Sequence, residues 1–169
     1  MPKLYEECTA CRLHKGELFA PGGPIHRDHL WVLEHIVEPI PMAGWLVLKP
    51  VRHVESFAEL TPEEASAFGP LTRRITMAMT EVIRPAKIYL SMYMEAANSA
   101  HLHVHLIPRM DDTPPDRRGP RIFEYAREST ATRRNLGEVA LATQVASRIR
   151  LLLGPSGGLA YKRPMTHPA

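Results

Sequence analysis

The sequence predicts an α+β domain in which an antiparallel sheet carries helices packed against it. Three observations lead there. Short runs of β-branched and alternating apolar residues recur at 30–37, 45–49, 88–95 and 98–109. The links between paired runs are too short for a parallel crossover, which needs a dozen residues or more. Two longer stretches, 61–82 and 138–153, instead repeat their apolar residues every three or four positions, the helical period. Strands of this kind beside segregated helices make a two-layer α+β arrangement.

Taken in order, Cys8 and Cys11 open the ordered part as a Cys-x-x-Cys pair. Residues 12–20 show no firm period and read as loop, and the Pro-Gly-Gly-Pro run at 21–24 reads as a turn. Residues 30–37 are β-branched and aromatic, a strand. The proline-rich run 38–44 cannot sustain a ladder, so 45–49 forms the second strand of an antiparallel pair, closed by Pro50. Thr61, Pro62 and Glu64 supply a helix start: a capping hydroxyl, a proline suited to the first turn and a carboxylate completing a capping box. Ala65, Phe68, Leu71, Ile75, Met79 and Val82 form one stripe, which serves a core or equally an interface. Pro70 inside it predicts a kink or a later start, and Pro85 ends it.

Ile88, Leu90, Met92 and Met94 alternate with Tyr89, Ser91, Tyr93 and Glu95, a strand that returns through a short polar link into 98–109. Pro108 predicts an end or a free edge there. Residues 111–119 read as loop, 122–128 as a short helix and 138–153 as a long one ended by Gly154-Pro155. From Gly157 onward the chain reads as a partly disordered tail. The organisation expected is a catalytic domain over 1–110, with loop, helix and tail of 111–169 packed on the same domain as a C-terminal extension.

Composition bounds the function. The chain has 169 residues, 44% of them hydrophobic, and a formal charge of only +3. That balance weakly favours anionic ligands and gives no strong case for nucleic acid. No apolar run is long enough to span a bilayer, and no signal-peptide core is visible. Two cysteines so close together argue for a metal or redox role in a reducing compartment, hence a cytoplasmic location.

The chemistry concentrates at Asn98-Ser99-Ala100-His101-Leu102-His103-Val104-His105-Leu106-Ile107-Pro108-Arg109. With period two, His101, His103 and His105 face one way and Leu102, Val104 and Leu106 the other. Successive imidazoles then lie roughly 7 Å apart, at about 3.3 Å rise per residue. Such a row can bind a metal, shuttle protons or attack an electrophile.

This row resembles the signature of the histidine triad family, in which three histidines alternate with apolar residues; the Pro-Arg that follows is similar to its fragile histidine triad and dinucleoside polyphosphate hydrolase branch. The resemblance covers about 8–109 and, more loosely, the tail. It implies a HIT-like fold, a homodimer, and a nucleotidyl hydrolase or transferase acting on a nucleoside phosphate ester, anhydride or amidate. His103 matches the family nucleophile, whose Nδ1–H is held by a backbone carbonyl, here that of His101. His105 matches the residue beside the phosphate. His53 follows Pro50-Val51-Arg52 at the family's Pro-x-x-His position. Members with an N-terminal Cys-x-x-Cys use that histidine and the first of the triad as ligands, which implies a structural zinc on Cys8, Cys11, His53 and His101. From the residues alone, a thioredoxin-like redox pair and two unrelated thiols stay open for the cysteines.

Asn98 falls where the family places a phosphate-contacting Ser or Thr, and a turn role suits it equally. Glu38 is the nearest candidate for the family's ribose contact. His14, His26, His29 and His35 are spare histidines. The arginines at 117, 118, 121, 127, 133 and 134 are interspersed with acids and read as a solvated surface. One departure stands out: the family begins its second strand with Gly-His, and this chain has Gly44-Trp45. Two other functions compete with the enzyme: a nucleotide-binding module with little turnover, and a hydrolase whose triad holds a catalytic metal.

Overall fold

The computed structural model describes residues 6–95 and 100–155. Five strands form one antiparallel sheet: β1 (His26–Arg27), β2 (Trp31–His35), β3 (Leu46–Pro50), β4 (Lys87–Ser91) and β5 (Val104–Arg109), in the order β1-β2-β3-β5-β4. Helices α1 (Thr9–Lys15), α2 (Pro62–Ile83), α3 (Glu124–Thr132) and α4 (Val139–Leu153) complete the α+β architecture.

The two faces of the sheet have different work. On one, Trp31 and Leu33 of β2, Leu46 and Leu48 of β3, and Val104 and Leu106 of β5 pack on Leu71, Ile75 and Met79 of α2 and on Val145, Ala146 and Ile149 of α4. Leu71, Ile75 and Met79 of the α2 stripe are therefore core, Phe68 and Val82 pack partly buried beside them, and Ala65 is exposed. Its start is as the sequence predicts: Thr61 accepts from the Glu64 N–H, and Glu64 accepts from the Thr61 N–H. Pro70 does not delay that start, because the helix runs unbroken from Pro62 to Ile83. Pro70 lies on an exposed side, where one missing intrahelical donor is tolerated.

Three expectations fail for identifiable reasons. Part of 12–20 is helix rather than loop. Seven residues complete only two turns, too few to display a period, and Gly16 in the left-handed region (φ 76°) ends it. The strand read over 88–95 stops at Ser91, because Ser91 pairs with His105 at the far end of the ladder. The triad run is strand only from Val104. Before it the backbone leaves the sheet, and the Leu102 N–H donates to the Val54 carbonyl at 2.6 Å. Pro108 sits within β5, where β3 no longer pairs, so its missing donor faces no partner on that side.

Candidate functional site

The second face of the sheet carries the chemistry in three adjoining parts. Residues that alternate with the core positions supply them: Val32 and Glu34 of β2, Trp45, Val47 and Lys49 along β3, and His103, His105 and Ile107 along β5.

At one end lies a cluster of Cys8, Cys11, His53 and His101, whose ligand atoms all fall within 4.8 Å of one another. Helix α1 builds half of it. Cys8 is its N-cap and Cys11 sits in its first turn, so a spacing of three brings both thiols to one side. The His53 Nδ1 is 3.2 Å from the Cys11 Sγ, and the His101 Nδ1 is 3.7 Å and 3.8 Å from the Sγ atoms of Cys11 and Cys8. Tetrahedral zinc with bonds of about 2.3 Å to sulfur and 2.0–2.1 Å to nitrogen separates such atoms by roughly 3.5 Å.

The far side of each ring supports the same use. The His101 Nε2–H donates to the Pro50 carbonyl at 3.0 Å, and the His53 Nε2–H donates to Glu55 at 3.4 Å. Each imidazole thus turns its Nδ1 to the cluster with an outer partner on Nε2, the arrangement that outer partners impose on metal-bound histidine. Burial and the neighbouring Cys8 push the Cys11 thiol up to about 11. A cation at this point would have to displace that proton. The donor set therefore fits zinc, and all four positions of a tetrahedron are filled by protein.

Next to it, a cavity of about 230 Å³ is lined by all three triad histidines. His103 donates from Nδ1 to the His101 carbonyl at 2.7 Å. Its Nε2 is therefore unprotonated, and burial lowers its pKa, holding the ring neutral. The rings of His103 and His105 lie 4.8 Å apart, edge to face. Ala10 and Leu13 of α1, Ile36 and Val37 just past β2, and Val47 of β3 give the cavity apolar walls.

Two charged residues on that wall escape a sequence reading focused on histidines. Lys49 Nζ donates to Glu34 at 2.6 Å, with both side chains almost wholly buried. They are diagonal neighbours, since Glu34 pairs with Val47 and Lys49 lies two residues on. A carboxylate interrupting the apolar run 30–37, and a lysine ending the next strand, were the available signals. Burial lowers the Lys49 pKa and Glu34 opposes the shift. Lys49→Met leaves Glu34 charged and unpaired, and is expected to destabilise the fold by about 3–5 kcal/mol. Urea denaturation checks this, and adding Glu34→Gln should recover part of the loss.

At the other end, Trp45, Ile107 and Ile122 form a small apolar cluster with Phe123 packed on it. Trp45 is fully buried. Its Nε1–H donates to the His105 Nδ1 at 3.0 Å.

Of the remaining candidates, Glu38 is not brought to the cavity: it accepts from Asn135 on the surface. Glu34 occupies the wall instead. Asn98 lies outside the described residues, as does the tail from Gly157. His14 donates to the Pro50 carbonyl, His26 pairs with Asp28, His29 with Glu63, and His35 donates to the Ile36 carbonyl. Arg117 and Arg127 pair with Glu128 and Glu124, which is the surface role expected of them.

No family model and no curated protein sequence matches the chain. Solved structures do. A hypothetical histidine triad nucleotide-binding protein from Sulfolobus tokodaii is 18% identical, with a TM-score of 0.63 over 86% of this chain and 91% of its own. A zinc-bound histidine triad family protein from Mycobacterium smegmatis is 17% identical, with a TM-score of 0.61 over 88% and 94%. A Plasmodium falciparum diadenosine triphosphate hydrolase, crystallised with cyclomarin A, is 12% identical, with a TM-score of 0.53 over 77% and 75%. Sequence identity this low speaks to architecture alone, and on that the neighbours agree: the sheet and helices described above are the histidine triad fold.

Proposed function

We propose that the protein is a nucleotidyl hydrolase or transferase that works through a covalent nucleotidyl-histidine on His103. The observation that carries this reading is the hydrogen bond from His103 Nδ1 to the His101 carbonyl. It leaves the lone pair on Nε2, in a ring lining a cavity of about 230 Å³. A neutral imidazole needs no separate base to act as nucleophile. Attack on the phosphorus next to a nucleoside forms an N–P bond and releases the leaving group with the electron pair of the broken bond. Water, or a second acceptor, then attacks the phosphorus, losing a proton to solvent if it carries one; the electron pair of the broken N–P bond returns to Nε2, leaving His103 neutral. His105 donates a hydrogen bond to the phosphoryl group, and the apolar wall suits a nucleobase.

Cys8, Cys11, His53 and His101 would hold zinc as a crosslink between α1 and the segment leading into β5, with no open position for substrate. The zinc-bound neighbour supports this part. A homodimer belongs to the same reading: edge strand β4 leaves Leu90 exposed, with Met92 and Tyr93 beyond it. Sedimentation would test it.

Rapid quench in alkaline denaturant, which preserves an N–P bond, of a reaction with a nucleoside polyphosphate tests the main reading. Mass spectrometry is expected to find one nucleoside monophosphate attached to His103 in the first turnover. Product release with no adduct, or an adduct elsewhere, would sink the covalent route. Binding without any release would leave a nucleotide-binding module.

A further inference from the structure

We infer that Trp45 is a positioning residue that locks His105 as a hydrogen-bond donor, and so tunes the site to leaving groups that need no proton. The inference deepens the nucleotidyl-transfer reading and rests on it for the substrate class, though not for the state of the ring.

The indole N–H can only donate. Since Trp45 Nε1 meets His105 Nδ1 at 3.0 Å, that nitrogen must be the acceptor, and the neutral ring must carry its proton on Nε2. Several contacts hold this pairing. Trp45 is fully buried beside Ile107 and Ile122. Phe123 meets the indole edge to face at 5.2 Å and the His105 ring at 5.4 Å. Main-chain pairing of β3 with β5 places Val47 opposite His105, so the two strands that carry Trp45 and His105 are fixed in register. His105 lines the same cavity as His103, which leaves Nε2–H for a ligand.

The chemical consequence follows from the proton count. To transfer a proton from Nε2, the ring must first be an imidazolium, with a proton on Nδ1 as well. That proton would be set against the Trp45 N–H, with no lone pair between them. His105 can therefore donate a hydrogen bond to a phosphoryl oxygen or a departing oxygen, but it cannot readily deliver a proton. A phosphate or polyphosphate leaves as a stable anion and needs only that hydrogen bond. An amine leaving from a P–N bond must take up a proton as the bond breaks. The geometry thus favours nucleoside phosphoanhydrides over nucleoside phosphoramidates. A histidine at position 45, able to accept as well as donate, would remove this restriction.

The first arm of the test uses the unliganded protein labelled with nitrogen-15. His105 is expected to show a protonated Nε2, an unprotonated Nδ1, and a coupling across the hydrogen bond to the Trp45 indole nitrogen. Absence of that coupling would mean that Trp45 does not hold the ring, and the proposal would fall. A proton on Nδ1 of His105 would overturn the proposal outright.

The second arm compares turnover of diadenosine tetraphosphate with that of adenosine 5′-phosphoramidate. Wild type should prefer the anhydride. Trp45→His should raise amidate turnover relative to anhydride by about 10- to 100-fold, the scale on which outer partners act. The change should appear in kcat rather than KM. Trp45→Phe, which removes the donor, should also narrow the preference and abolish the coupling. An unchanged preference in variants that keep the wild-type Tm would overturn the leaving-group argument. If neither compound turned over, the nucleotidyl-transfer reading and the preference would both fall, while the ring assignment would still decide the part played by Trp45.

Discussion

His103→Ala is expected to lower nucleotidyl transfer by at least about 10³-fold while nucleotide still binds. Removing a nucleophile commonly costs several powers of ten, because no other group can form the intermediate. The fold should tolerate the change. The ring makes one hydrogen bond, to the His101 carbonyl, and it lines a cavity, so its loss enlarges that space more than it breaks packing. A lost hydrogen bond of this kind costs about 1 kcal/mol. Affinity should hold because the apolar wall from α1 and from β2 and β3 does not involve His103. Calorimetric titration with a nucleotide, beside a turnover assay and a thermal melt, separates the three quantities. Substantial turnover in a folded variant would remove His103 from its role, and with it the covalent route.

Much of this architecture can be read directly in the chain, because the strongest signals are local. The capping box at Thr61 and the apolar stripe of α2 depend on residues within a few positions of one another. So does the alternation of Leu102, Val104 and Leu106: Val104 and Leu106 pack on the helix side, and Leu102 is buried as well although the ladder begins only at Val104. What escapes a linear reading is set by partners distant in sequence. Strand β4 ends where its pairing with β5 ends, and nothing in residues 92–95 announces that. Helix α1 is too short to display a period, yet it delivers both cysteines and one wall of the cavity.

The same division runs through the site. Spacing brings out the triad and the cysteine pair, while the resemblance supplies the full ligand set. The bond between Trp45 and His105 spans 60 positions, and only the register of β3 with β5 creates it. Glu38 is the acid nearest the place after the first strand where the resemblance puts a ribose contact, and its bond to Asn135 comes from a partner 97 positions away. The sheet instead turns Glu34 inward, because alternate residues of β2 face the cavity.

Breaking the Cys8, Cys11, His53 and His101 cluster is expected to damage the fold severely. Elemental analysis of the untagged protein should find about one zinc per chain, as four closed ligands require. Cys8→Ser should abolish that content. It should also destabilise the protein by about 3 kcal/mol or more, roughly 10 °C in Tm for a chain of this size. The reason lies in what holds α1. It has only seven residues, its N-cap side chain makes no capping hydrogen bond, and Ala10 is the one buried residue within it. A helix that short has little stability of its own, so the cluster is its main tie to His53 and His101. A consequence for binding follows, since Thr9, Ala10 and Leu13 line the cavity. Stripping the metal with a strong chelator should therefore raise KM for a nucleotide several-fold, with kcat less affected, because His103 keeps its bond to the His101 carbonyl. Readdition of zinc should restore both Tm and KM. Metal-free protein with an unaltered melt would refute the crosslink. A kcat that vanished on chelation in a still-folded protein would instead point to a catalytic metal.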